Sequence, residues 1–163
     1  MSRNLINKIF SSVLISVLFA LGMSAGVNAK TQTVKATIKP GSETQQPLYT
    51  IYRGVKLGMT ADEARAKLGT PSMKYSDQDF YMVSENETAQ IIYDAAQKVT
   101  AISVDYLGGI GAPDYKTVVG GELQTTANGS LYRVVRYTSL GFWVSYNRSQ
   151  GTVPTVTITI QKI

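Results

Sequence analysis

The 163-residue chain contains neither cysteine nor histidine. Without cysteine it can form no disulfide, although many small exported proteins depend on disulfides, and it cannot carry a lipid on an N-terminal cysteine. Ser-His-Asp catalysis, Cys-His catalysis and the common zinc sites are excluded as well. We therefore expect a fold that rests on an apolar core, with no catalytic residues, no cofactor and no metal.

Charged residues are also few, and they form no long runs. The chain has 16 Lys and Arg against 11 Asp and Glu, a net charge of +5. No block of five or six like charges occurs, so a nucleic-acid partner is not indicated. The glycines of residues 108–111 lack the Lys-Ser/Thr that a phosphate-binding loop requires, and we interpret them as a linker. These absences favour a non-catalytic protein over an enzyme.

The first 29 residues have the pattern of a secretory signal. Arg3 and Lys8 precede an apolar core over residues 9–23, and small residues then lead to Val27-Asn28-Ala29. The apolar core is shorter than the roughly 20 residues that a membrane-spanning helix needs. We expect cleavage near Ala29 and a periplasmic or secreted protein without an integral membrane span. An uncleaved N-terminal anchor is the alternative.

The sequence after the signal divides into a linker and two parts that fold. Residues 30–47 are polar and lack any apolar period, which predicts a flexible linker. Residues 48–107 form the first unit, and a glycine-rich connector at residues 107–113 ends it. Three strand-like runs are predicted in this unit, at residues 80–85, 89–93 and 99–106.

A second, degenerate strand-rich unit is predicted over residues 113–163, and its last run places Val156, Ile158 and Ile160 on one face and the alternating threonines on the other. Its segment Leu131-Tyr132-Arg133-Val134 is similar to Phe80-Tyr81-Met82-Val83, and residues 146–150 are similar to residues 93–97 at nearly the same offset. Two hairpins can also be similar by chance, because strands and turns favour the same residue types. The two interpretations are therefore a true repeat and a chance similarity. The expected fold class is α+β, with a short helix packed on an antiparallel sheet in two tandem helix-plus-strands units.

The stretch from Gly58 to Pro71 is the most informative in the chain. Thr60 occupies an N-cap position, and Glu63 three residues later completes a capping box. Gly69 is expected to end the helix in a left-handed conformation, and Pro71 prevents its continuation. The pattern predicts a helix of about two turns. Three residues share its apolar face: Ala61, Ala64 and Leu68.

This stretch resembles the SmpA/OmlA (BamE-like) family, which has a Gly-Met-Thr, helix, Leu-Gly-x-Pro signature. The fold of that family is similar to one repeat of the β-lactamase inhibitory protein. The resemblance implies a non-enzymatic protein that contacts other envelope proteins, linked to outer-membrane assembly or maintenance. It also implies a structural role for the motif residues: Gly58, Met59, Thr60, Glu63, Leu68, Gly69 and Pro71. The chain departs from BamE-like proteins in lacking their lipid-bearing cysteine, and from the inhibitory proteins in lacking their disulfides.

Aromatic residues indicate where a partner would bind. Ten tyrosines and one tryptophan are many for a chain of this length. If Phe142 and Val144 face the core, Trp143 faces outward beside Arg133 and Arg136. Trp, Tyr and Arg are the usual anchors of protein interfaces. We therefore expect a partner-binding site at these three residues; the alternative is that Trp143 packs under a loop.

Three functions remain open from the sequence. The first is a protein-binding module of the bacterial cell envelope, with the open face of the sheet as its contact surface and an unidentified envelope protein as its partner. The second is a secreted enzyme inhibitor of the β-lactamase inhibitory protein type. The third is a hydrolase that uses Asp77, Asp79 or Glu85, although solvated turn carboxylates are the simpler interpretation of the first two.

Overall fold

The computed structural model describes residues 46–163 of the chain. The predicted signal, residues 1–29, and the predicted linker up to residue 45 lie outside the described residues. In the described part, every helix is too short or too polar to cross a membrane.

Strands make up most of the described secondary structure. Helix α1 spans Ala61–Leu68, helix α2 spans Tyr115–Val119, and a 3-10 helix of one turn spans Thr138–Leu140. The strands are β1 Met73–Lys74, β2 Gln78–Met82, β3 Glu87–Tyr93, β4 Val99–Leu107, β5 Gln124–Thr125, β6 Leu131–Tyr137, β7 Phe142–Arg148 and β8 Thr155–Lys162.

All eight strands belong to one antiparallel sheet in the order β1-β2-β3-β4-β8-β7-β6-β5. The last strands of the two halves, β4 and β8, pair directly in the middle of this sheet. Their register runs without interruption from Ala101 opposite Gln161 to Leu107 opposite Thr155. The backbone hydrogen bonds therefore continue across the point where the sequence suggested a boundary.

The predicted fold class is wrong. Residues 46–163 form a single eight-stranded antiparallel sheet and not the two tandem helix-plus-strands units that were expected. The eight residues of α1 bury only Ala61 and Ala64 fully, so strands supply most of the core. The prediction failed because similar turns at a constant offset describe local hairpins, whereas the pairing of β4 with β8 depends on the long-range register of two apolar strand faces.

The core lies on one face of the sheet, where both helices pack. On β8, Val156, Ile158 and Ile160 are buried while the intervening threonines are half-buried, as the alternation in the sequence predicts. The matching face of β4 carries Ile102, Val104 and Tyr106, which lie directly opposite these β8 residues. The helices add Ala61, Ala64, Val118 and Val119 to this core.

The opposite face, here called the open face, holds three rows of cross-strand neighbours. Its side chains are half-buried or exposed, except for the small Ala101. The rows are Gln78-Ile92-Ala101-Gln161-Trp143-Arg136, Phe80-Gln90-Ser103-Thr159-Ser145-Val134 and Met82-Thr88-Asp105-Thr157-Asn147-Tyr132. Hydroxyl and amide groups occupy the middle of this face, and apolar and aromatic groups lie towards its two sides.

Candidate partner-binding surface

Arg136 and Trp143 lie directly opposite each other on β6 and β7. Both belong to the open face, because Phe142 and Val144 on either side of Trp143 point into the core. Arg136 is exposed and Trp143 is half-buried. The structure thus brings together two of the three residues expected to bind a partner.

Arg133, the third of them, lies on the other face of the sheet. Its guanidinium donates hydrogen bonds to the carbonyl oxygens of Val119, at 3.1 Å, and Glu122, at 3.2 Å. These contacts satisfy carbonyl groups at and just beyond the C-terminus of α2, a favourable place for a cation. The sequence alone predicts that Arg133 and Arg136 lie on different faces, because residues three apart on a strand point to opposite sides.

A groove of about 600 Å³ on the open face is lined by Val134 and Ser145, the pair next to Arg136 and Trp143 on that face; Arg136 and Trp143 themselves do not line it. Its floor includes Tyr132 and Val134 of β6 and Ser145 and Asn147 of β7, and one wall is formed by Thr126, Ala127, Asn128 and Ser130. Tyr132 and Val134 were not predicted as site residues. The period of two along β6 places them on the same face as Arg136, and this signal was present in the sequence.

The wall of the groove is the tight turn between β5 and β6. Gly129 donates its N–H to the Thr126 carbonyl, and Thr126 donates its N–H to the Ser130 carbonyl at 2.8 Å. Gly129 has φ of +79°, the left-handed conformation that closes a three-residue hairpin loop and that glycine adopts without steric cost. The turn is therefore held by its own hydrogen bonds and gives the groove a defined edge.

The helix-bearing face contains a buried ionic cluster at Asp79. This carboxylate is completely buried, and it accepts hydrogen bonds from Arg65 of α1 at 2.8 Å and from the Tyr93 hydroxyl at 2.7 Å. The contact with Asp79 raises the pKa of Arg65, and burial raises the pKa of Tyr93. Asp79 is therefore a structural anchor, and the interpretation of it as a solvated turn carboxylate is wrong.

Tyr81 borders this cluster. Its buried hydroxyl finds no hydrogen-bond partner among the described residues. Burial raises the pKa of Tyr81 to about 12, because the charged phenolate would lose its solvation there.

A second carboxylate, Glu87, is held on the same face. Arg53 donates to both of its oxygens, at 3.2 and 2.8 Å, and the Tyr52 hydroxyl donates to it at 2.8 Å. The hydrogen bonds from Arg53 lower the pKa of Glu87 below its ordinary value, and burial raises the pKa of Tyr52. This arrangement fastens the segment before α1 to β3.

The carboxylates of the hydrolase hypothesis do not form one site. Asp79 is enclosed by Arg65 and Tyr93, whereas Asp77 and Glu85 are exposed. Among residues 46–163, no three acidic groups come close enough together to hold a metal ion. An acid/base pair needs two carboxylates that both reach a substrate, and Asp79 is inaccessible to one.

The motif residues around α1 shape the backbone. The Thr60 side chain accepts from the Glu63 N–H at 3.2 Å and the Glu63 carboxylate accepts from the Thr60 N–H at 2.7 Å, so the predicted capping box is present. Gly69 ends the helix with φ of 84° and ψ of −159°. That conformation differs from the expected left-handed one, and it is essentially restricted to glycine.

Comparisons with protein-family models, with curated proteins and with solved structures found no match for this chain.

Proposed function

We propose that this chain is a non-catalytic, exported protein-binding module of the bacterial cell envelope. It contacts an envelope protein through the open face around Arg136 and Trp143. The proposal extends to a link with outer-membrane assembly or maintenance, and that part depends only on the resemblance of residues 58–71.

The observation that carries the proposal is the direct opposition of Arg136 and Trp143 beside the groove. Tryptophan and arginine dominate the binding energy of protein interfaces when they adjoin a pocket that excludes water. Trp143 is already half-buried by its neighbours, so a partner would complete its burial at a small further cost in side-chain freedom. Val134, 45% exposed, adds apolar area next to it.

The charge on this face supports a protein partner over a nucleic acid. Arg136 and Asp105 are the charged members of the three rows, and Asp105 accepts a hydrogen bond from the Thr157 hydroxyl at 2.6 Å. A nucleic-acid surface would need several clustered cations along one face. A mixture of aromatic, hydroxyl and amide groups with one arginine is typical of a protein-binding surface.

The test is capture of partners from a bacterial envelope extract by the immobilised protein, with Trp143→Ala as the test variant. Tyr75→Ala is the matched control, because Tyr75 is an aromatic residue, 51% exposed, in the turn before β2, at the opposite end of the sheet from β6 and β7. We expect the wild type and Tyr75→Ala to retain the same protein and Trp143→Ala to lose it, although Trp143→Ala still unfolds in one cooperative transition at a somewhat lower melting temperature. Equal retention by all three, or no specific retention by the wild type, would contradict the proposal.

A further inference from the structure

Strand β6 has a neighbour on one side only for most of its length. The short strand β5 pairs with Leu131 and Tyr132 and then ends. Residues 133–137 are registered with β7 alone among the described residues. The β6–β7 register contains no bulge, so this edge of the sheet is regular over five residues.

The main-chain groups of Val134 and Arg136 point away from the sheet at this edge. In an antiparallel hairpin, hydrogen-bonded pairs recur at every second residue. Thr126 and Ser130 are one such pair, because the Thr126 N–H donates to the Ser130 carbonyl. Two residues further along each strand, Gln124 and Tyr132 are the next hydrogen-bonded pair. Two and four residues further along β6, Val134 and Arg136 therefore direct their N–H and C=O groups to the same side, where β5 no longer runs.

At the other edge of the sheet the outer side of β2 is covered, and the terminal strand β1 is only two residues long. Strand β1 pairs with Asp79 and Phe80 of β2. Beyond it, the Met82 N–H donates to the Ser72 side chain at 3.0 Å, and the Gln78 carbonyl accepts from the Tyr75 N–H at 2.8 Å. An exposed strand edge is a template for pairing with another chain, and proteins usually cover it. The difference between the two edges singles out β6.

The side chains beside the open edge define what could bind there. Val134 and Arg136 both project onto the open face, and Val134 also lines the groove. Arg136 has no ion-pair partner among the described residues. A positive charge at this position repels a cationic strand and attracts an acidic one, so it selects among strands that could pair.

We propose that an extended, acidic peptide segment of a partner protein binds by adding a strand to the β6 edge. An acidic side chain of the segment lies opposite Arg136, and an apolar side chain opposite Val134 points over the groove. In the antiparallel orientation these positions read acidic, any residue, apolar along the peptide. The inference rests on the proposed function and names the mode of binding and the chemistry of the partner.

The direct test uses the blocked peptide Thr-Thr-Glu-Thr-Val-Thr, which ends before the position that β5 occupies opposite Tyr132, and isotope-labelled full-length protein. We expect the amide resonances of Val134 and Arg136 to shift on titration and their hydrogen exchange to slow. Val134→Pro removes an outward N–H at an edge position where proline is tolerated, and should weaken binding by about tenfold. Val134→Thr keeps the N–H and the branched shape, and should stay within about twofold of the wild type.

A charge swap tests the role of Arg136 without a proline. Arg136→Glu should weaken binding of the Glu peptide by about fivefold and strengthen binding of the same peptide with Lys in place of Glu. Absence of shifts with either peptide, or equal binding to wild type, Val134→Pro and Arg136→Glu, would overturn the inference. Self-association of the wild type that Val134→Pro abolishes would assign the edge to a second copy of the chain and also overturn it.

These outcomes are separate from those of the proposed function. Retention of an envelope protein that depends on Trp143 but is unchanged in Val134→Pro would leave the function standing and remove strand addition. If the peptide binds at β6 but no envelope protein is retained in a Trp143-dependent way, strand addition stands and the proposed function is contradicted.

Discussion

Arg65 and Asp79 form an ion pair between α1 and β2, with two hydrogen bonds of 2.8 and 3.2 Å. Asp79 is completely buried, and the Arg65 side chain is 20% exposed. Tyr93 donates a third hydrogen bond to the same carboxylate. This cluster fastens the only helix of more than five residues in the described part to the sheet, because the buried apolar contacts of α1 are limited to small alanines.

Arg65→Ala should lower the free energy of unfolding by about 2 to 3 kcal/mol, because it leaves the buried carboxylate of Asp79 without its counter-charge. Lys67→Ala on the same helix, where Lys67 is exposed, should change it by less than about 0.5 kcal/mol. Urea denaturation of the two variants beside the wild type measures both values. A loss for Arg65→Ala no larger than for Lys67→Ala would show that the pair does not hold the helix.

Loss of the hydroxyl should lower the free energy of unfolding at Tyr93 but not at Tyr81. Tyr93→Phe should cost about 2 kcal/mol, because its hydroxyl donates to a charged acceptor. Tyr81→Phe should lie between no change and a gain of about 1 kcal/mol, because its buried hydroxyl has no partner to lose. The same denaturation assay compares them, and an equal loss in both variants would contradict this assignment of the hydrogen bonds.

The buried tyrosines should make the protein sensitive to alkali. Burial raises the pKa of Tyr81 to about 12 and also raises the pKa values of Tyr52, Tyr93 and Tyr106 above the ordinary 10.0. The unfolded chain therefore loses these protons first as the pH rises. The stabilisation is complete below pH 10.0 and is lost as the pH approaches the raised values.

The melting temperature should accordingly fall between neutral pH and about pH 12, together with the rise in tyrosinate absorbance. Tyr81→Phe should make the fall shallower, and Tyr75→Phe, at an exposed tyrosine, should leave it unchanged. A melting temperature that stays level over this range would refute the prediction.

Local features of this chain were predictable because they depend on neighbouring residues. The capping box of Thr60 and Glu63 requires two side chains three positions apart, and it is present. The alternation of Val156, Ile158 and Ile160 with threonine predicted which side of β8 is buried, since burial follows the period of the strand.

The candidate surface was only partly predictable. The grouping of Trp143 with Arg136 follows from strand parity once the β6–β7 hairpin is assigned, and parity also separates Arg133 from them. The groove was not predictable, because it depends on how the turn at residues 126–130 lies against β6 and β7. The burial of Asp79 was missed for a similar reason, since its partner Arg65 comes from a different element.

By itself, the sequence determined the elements of this protein: the capped helix, the hairpins, the faces of the strands, and the exclusion of disulfides and histidine chemistry. Only the tertiary structure decided that β4 pairs with β8 in one sheet, that β5 ends after two residues and leaves Val134 and Arg136 at an edge, and that Asp79 is buried against Arg65. The physical reason is how far apart along the chain the interacting residues lie. Caps, turns and strand alternation are set by residues a few positions apart, whereas sheet order and buried ion pairs depend on apolar faces and charges that meet only when the whole sheet has formed.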